Sequence, residues 1–145
     1  MAVAVDGAES TVRLLSVIGR LGRMLRPMRS AGDLTPTQIS VLATISREGP
    51  TPMALLAERE SLNPTMLSRV IGKLADAGLI RRSTAPGDRR SALVVVTARG
   101  RALRERIHRE RSATLASALA ALSPAERDAI EDALPALEAL AEQLR

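Results

Sequence analysis

Asp88, Arg89 and Arg90 stand together in the stretch PGDRRSALVVVTARG, residues 86–100, directly after a Pro-Gly pair. Arginine is a permanent cation whose planar fork of donors fits phosphate oxygens and can enter a nucleic-acid groove. A carboxylate two positions before Arg90 can accept a charge-assisted hydrogen bond from that guanidinium and hold it extended. The plainer reading is a solvated arginine pair that protects the edge of a hairpin. A second set of chemical side chains is Thr65, Met66, Ser68, Arg69 and Lys73. On a helix they lie opposite Leu67, Val70, Ile71 and Leu74, which recur at i, i+3, i+4 and i+7 and predict an inward face. Hydroxyls, a thioether and two cations on one exposed helix face can read base edges and touch phosphates; they perform no covalent step.

The remaining chemistry is thin. The chain has no cysteine and a single histidine, His108, so disulfides, thiolate metal sites, cysteine nucleophiles and a histidine metal cluster are all excluded. His108 lies among arginines and reads as a solvated surface residue. No spacing joins a nucleophile to a base, pairs catalytic carboxylates or forms a phosphate-cradling glycine loop. The expectation is a protein that is not an enzyme, with no metal site and no cofactor. Phe, Tyr and Trp are absent, which weakens any reading based on stacking single-stranded bases. Charge is polarised along the chain. Residues 79–111 carry ten arginines against three acids, whereas residues 112–145 carry two arginines against six acids. One segment is suited to a polyanion and the tail is not. The N-terminal residues lack the pattern of a signal peptide and no apolar run approaches membrane-spanning length, so a soluble, cytoplasmic protein without a membrane partner is expected.

Elements must position these side chains, and their starts are written in the sequence. Ser, Thr or Asn followed by Pro recurs at Thr35-Pro36, Thr51-Pro52, Asn63-Pro64 and Ser123-Pro124. In such a pair a side-chain oxygen caps free N–H groups and proline takes the first helical position, so a helix is predicted at each. Thr35 with Gln38, and Ser123 with Glu126, also fit a capping box. An earlier helix is predicted from about residue 8 to 30, on the stripe Leu14, Ile18, Leu21, Leu25 and Met28, with Pro27 kinking or ending it. A long one runs from roughly 97 to 121, led by Thr97; the last spans 124–144 and should bend at Pro135. Ile80–Thr84 and Ala92–Val96 read as two strands joined across Ala85-Pro86-Gly87-Asp88.

Residues 51–78 then read as two short helices with a tight connection at Ser61-Leu62-Asn63, a helix-turn-helix. The hairpin follows directly as a wing whose arginine tip can follow a minor groove. The fold class is mainly α with a small β-hairpin (α+β). The apolar stripes of the two terminal helices either pack on each other within one chain or, as favoured here, are buried against a second copy.

Over nearly its full length the chain resembles the MarR family of bacterial winged-helix transcription regulators. The likeness is carried by Leu56-Ala57, by LNPTMLSRVIGKLADAGLIRR at 62–82, and above all by DRRSALVVVTARG at 88–100. The resemblance implies a homodimeric winged helix-turn-helix repressor on a pseudo-palindromic double-stranded DNA operator. By that match Thr65, Met66, Ser68, Arg69 and Lys73 contact the major groove, Arg90 with Arg89 beside it enters the minor groove, and Asp88 buttresses Arg90. Residues 1–32 would form an N-terminal dimerisation helix, 33–97 the DNA-binding region and 98–145 the C-terminal linker and dimerisation helices of one compact chain. Family members often respond to a small-molecule effector, frequently aromatic. Arg20, Arg23, Met24 and Met28 are the candidates to border a cleft for an anion, although Met at helical spacing is more often core. The competing reading is a winged-helix module that docks a protein partner and does not read DNA.

Overall fold

The structure, a computed structural model, describes residues 7–26, 31–85 and 88–144, with backbone but not side chains at 85 and 88–91. Its elements in order are α1 (Gly7–Met24), α2 (Pro36–Glu48), β1 (Thr51–Pro52), α3 (Met53–Arg59), α4 (Pro64–Asp76), β2 (Ile80–Ala85), β3 (Asp88–Val96), α5 (Ala98–Ala120) and α6 (Pro124–Gln143). Two compact units divide at Arg111 and Ser112. α5 begins in the first and ends in the second.

In the first unit, α2, α3 and α4 close over one face of the sheet. Val41, Leu42, Ile45, Leu56, Leu67, Ile71, Leu74 and Val94 form its buried centre. Leucine and β-branched residues fill this core without a ring, as the composition requires. A smaller cluster joins Ala31 and Ile39 to Ile107 of α5.

Three of the four expected helix starts are present. Thr35 and Ser123 each make the full capping box, and the Asn63 side chain accepts from the Met66 N–H at 2.8 Å. Thr51-Pro52 is the exception. The Thr51 hydroxyl donates to the Gly49 carbonyl at 2.8 Å, and the pair forms β1, with Thr51 opposite Val94 and Pro52 opposite Leu93. Helix α3 starts one residue later, at Met53, with no side-chain cap. The sheet is therefore three-stranded and antiparallel, in the order β1-β3-β2. Pairing with a distant strand overrides a local cap signal.

Helix α1 ends at Met24, short of the expected residue 30; Pro27 and Met28 lie outside the described residues. Both hairpin strands extend beyond their expected ends, to Ala85 and from Asp88, with a register irregularity between Thr84 and Ala85. α6 continues through Pro135. Neither α1 nor α6 buries a residue. Leu15 of α1 is 65% exposed and Leu134 of α6 is 47% exposed.

Candidate nucleic-acid interface

Helix α4 is set by its two ends. Before it, α3 terminates at Glu60 and Ser61 takes a left-handed φ of 51°. The Leu62 N–H then returns to the Ala57 carbonyl at 2.9 Å, and the Ser61 N–H to Glu58 at 3.1 Å. This Schellman turn satisfies the last carbonyls of α3 and swings the chain into the Asn63 cap of α4. The Thr44 hydroxyl of α2 donates to Glu60, fixing the turn from below.

The other end repeats the device. Gly78 has φ 71°, its N–H reaches the Ala75 carbonyl at 2.8 Å, and the Leu79 N–H reaches the Leu74 carbonyl at 2.9 Å. The buried Leu74 and Leu79 side chains are the hydrophobic partners that accompany this motif. The chain leaves α4 in one fixed direction, straight into β2.

Held at both ends, α4 divides as its pattern requires. Leu67, Val70, Ile71 and Leu74 are buried, while Thr65, Met66, Ser68, Arg69 and Lys73 are all exposed, Met66 at 49%. The structure thus brings the five expected recognition residues onto one solvent face. In the wing, Val94 and Val96 of β3 and Ile80 of β2 point into the core, and Arg81 and Arg82 are exposed. The backbone of Asp88 pairs with Ala85, which puts residues 88–90 at the turn end of the hairpin. The side chains of Asp88, Arg89 and Arg90, and with them the proposed buttress, lie outside the described residues.

The base of the wing holds a junction that pattern reading named only as a Thr and a following Gly. The Thr97 hydroxyl donates to the Gly78 carbonyl at 2.7 Å and accepts from the Gly100 N–H at 3.0 Å, and the Thr97 N–H donates to the Leu79 carbonyl at 3.0 Å. One residue thereby ties the end of α4 and the start of β2 to the first turn of α5. Gly100 is there because α5 crosses Leu79 closely: a Cβ on it would sit 2.1 Å from the Leu79 carbonyl oxygen.

Of the residues considered for an anion cleft, Arg20, Arg23 and Met24 are exposed on α1, and Met28 lies outside the described residues. A cavity of about 580 Å³ beside α1 takes Gly22 and Arg26 instead, with Ile39, Ser40, Ala43 and Arg111. The Arg111 Nε is buried without a hydrogen-bond partner among the described residues. Sequence spacing could not find this group, because the burial of a single side-chain atom arises only when the helices pack. No cluster of metal-ligating side chains occurs among the described residues, and no helix there is long and apolar enough to cross a membrane.

Comparison with known proteins agrees with this geometry. The model of the MarR family matches residues 34–92. An uncharacterised HTH-type transcriptional regulator of Mycobacterium bovis is 35% identical over 139 residues, covering 93% of this chain and 97% of the relative. An HTH-type transcriptional repressor of Mycobacterium tuberculosis is 35% identical over 114 residues, covering 75% of this chain and 82% of the relative. The crystal structure of RV1404 from Mycobacterium tuberculosis has a TM-score of 0.84 at 27% identity, covering 96% of this chain and 97% of that one. A capped α4 with a polar outer face, a wing stitched to its end, and likeness along nearly the whole length lead to one conclusion: the chain belongs to the MarR family of winged helix-turn-helix, DNA-binding transcriptional regulators.

Proposed function

We propose that two copies of the chain act together as a repressor on one pseudo-palindromic stretch of double-stranded DNA. The observation that carries this reading is the division of α4, with four apolar side chains buried and Thr65, Met66, Ser68, Arg69 and Lys73 exposed opposite them. A helix presenting donors, acceptors and two cations fits the major groove, where every base pair shows a distinct pattern. The wing follows the adjacent minor groove with Arg90 inserted, Arg89 beside it and Asp88 orienting Arg90.

Exposed apolar stripes on α1 and α6 support the second copy. Val12, Leu15, Ile18 and Leu21 on α1, and Ile130, Leu134 and Leu137 on α6, are each at least 40% exposed. Surfaces of this kind on a soluble regulator are association sites. Residues 1–32 and 98–145 supply the dimer, and residues 33–97 read the DNA. The sign of regulation follows the relative named as a repressor. An anionic effector fits the cleft of Arg26, Ser40 and Arg111, where the unpartnered Arg111 Nε would gain an acceptor.

Gel shift with DNA fragments selected from a random pool tests the reading. Enrichment of a shared motif and a shift that weakens steeply with salt are expected. A protein that retains no fragment above background is a protein-docking module instead.

A further inference from the structure

Arg81 and Arg82 are neighbours of identical chemistry that the sheet sends to opposite faces. In the antiparallel pairing of β2 with β3, Ile80 stands opposite Val96, Arg81 opposite Val95, Arg82 opposite Val94 and Thr84 opposite Ala92. Residues directly opposite share a face, and successive residues alternate between faces. Ile80, Val94 and Val96 are buried beneath the helices, so Arg82 and Thr84 belong to the face on which α4 packs and Arg81 to the other. Arg82 and Thr84 are nonetheless exposed. β2 is an edge strand, in the order β1-β3-β2, and Arg82 lies two residues beyond Ile80, about 7 Å along the strand, which carries it past the core. Among the described residues it has no ion-pair partner.

We infer that Arg82 and Thr84 hold the DNA backbone between the two grooves that the protein enters. The inference rests on the function proposed above, with α4 in a major groove and the wing tip in the adjacent minor groove. Neighbouring grooves are separated by one sugar-phosphate strand, so that strand must cross the gap between α4 and the tip. On the wing side, the wall of that gap is the α4-facing surface of β2, where Arg82 and Thr84 stand. A guanidinium is a permanent cation whose fork of donors matches phosphate oxygens, and the threonine hydroxyl adds a neutral donor two residues away on the same face. Phosphate contacts fix register on the duplex and carry no sequence information directly. Arg82 therefore positions both reading elements, α4 and the wing tip, against one shared backbone strand. Arg81 carries the same charge and is also exposed, but it faces away from the gap and serves as an internal control.

Fluorescence anisotropy of the full chain with selected and with random DNA, over a series of salt concentrations, tests the assignment. In Arg82→Gln the plot of log affinity against log salt should become shallower by about one unit, and affinity in roughly 0.1 M salt should fall about tenfold on both DNAs alike. Arg82→Lys, which keeps the charge, should keep the wild-type slope. Thr84→Val should lower affinity about fivefold with the slope unchanged. Arg81→Gln should change the slope by well under about half a unit. All three side chains are exposed, so the variants should fold, and their thermal midpoints check it. Equal effects of Arg81→Gln and Arg82→Gln, or a larger one at Arg81, overturn the assignment, because they reduce both residues to general charge. A loss in Arg82→Gln confined to the selected DNA, with preference relaxed at one position, overturns it too, since a phosphate carries no base identity. In both of those cases the wild type still enriches a motif and the proposed function stands; a wild type that enriches none ends both readings.

Discussion

Thr97 shows how much of the interface depends on a side chain that need not touch DNA. Its hydroxyl bridges the Gly78 carbonyl and the Gly100 N–H, so Thr97→Val removes two hydrogen bonds, each worth about 1 kcal/mol of stability. The expected signature is more than a lowered unfolding midpoint. Affinity for the selected site should fall while affinity for random DNA holds, because the wing and α4 lose their mutual register; Thr97→Ser should restore both. Equal losses on the two DNAs would mean that Thr97 only stabilises the fold. Arg69 belongs to the opposite class, being exposed on α4 and free of any structural duty in the core. Arg69→Ala should cost about 1–3 kcal/mol on the specific site and relax the preference at one base position. A uniform loss across sequences would assign it to a phosphate.

Among the elements, helix starts were the most legible part of the sequence. Thr35-Pro36, Asn63-Pro64 and Ser123-Pro124 announce helices because cap and first turn are settled within four residues. Thr51-Pro52 carries the same local signature yet becomes a strand, since its backbone is claimed by Val94 and Leu93 far along the chain. The inward face of α4 was readable from periodicity, and so was the outward one. Arg111 and the lining of the cavity beside α1 were not, because burial and concavity arise only when helices pack. Capping also has a pH signature in α6. The Ser123 hydroxyl and N–H both donate to Glu126, holding its carboxyl below the ordinary carboxylate range. A lowered folded pKa contributes stability above the unfolded value, and that contribution is lost as pH falls through the folded one. The difference in thermal midpoint between wild type and Glu126→Gln should thus be present at neutral pH and vanish in acid. For the wing, Arg90→Ala should weaken binding most on A·T-rich flanks and make log affinity against log salt shallower by about one unit. Asp88→Ala should give a milder loss of the same flank preference, despite removing a negative charge. Tighter binding with unchanged flank preference would leave the hairpin tip as a charged loop only.

For the whole molecule, the proposed pair of chains presenting two recognition helices to one DNA rests on the exposed apolar stripes of α1 and α6 and on the polar outward face of α4. Deleting residues 1–30 should therefore abolish dimerisation and, with it, high-affinity binding, since one half-site supplies only part of the contact. Light scattering of the intact protein with and without its selected DNA is the most direct measurement. The expected mass is two chains at micromolar concentration, and two chains per duplex whose selected half-site centres lie about one helical turn, roughly 10 bp, apart. A monomer in solution that binds an asymmetric site one chain at a time would contradict the symmetric reader described here.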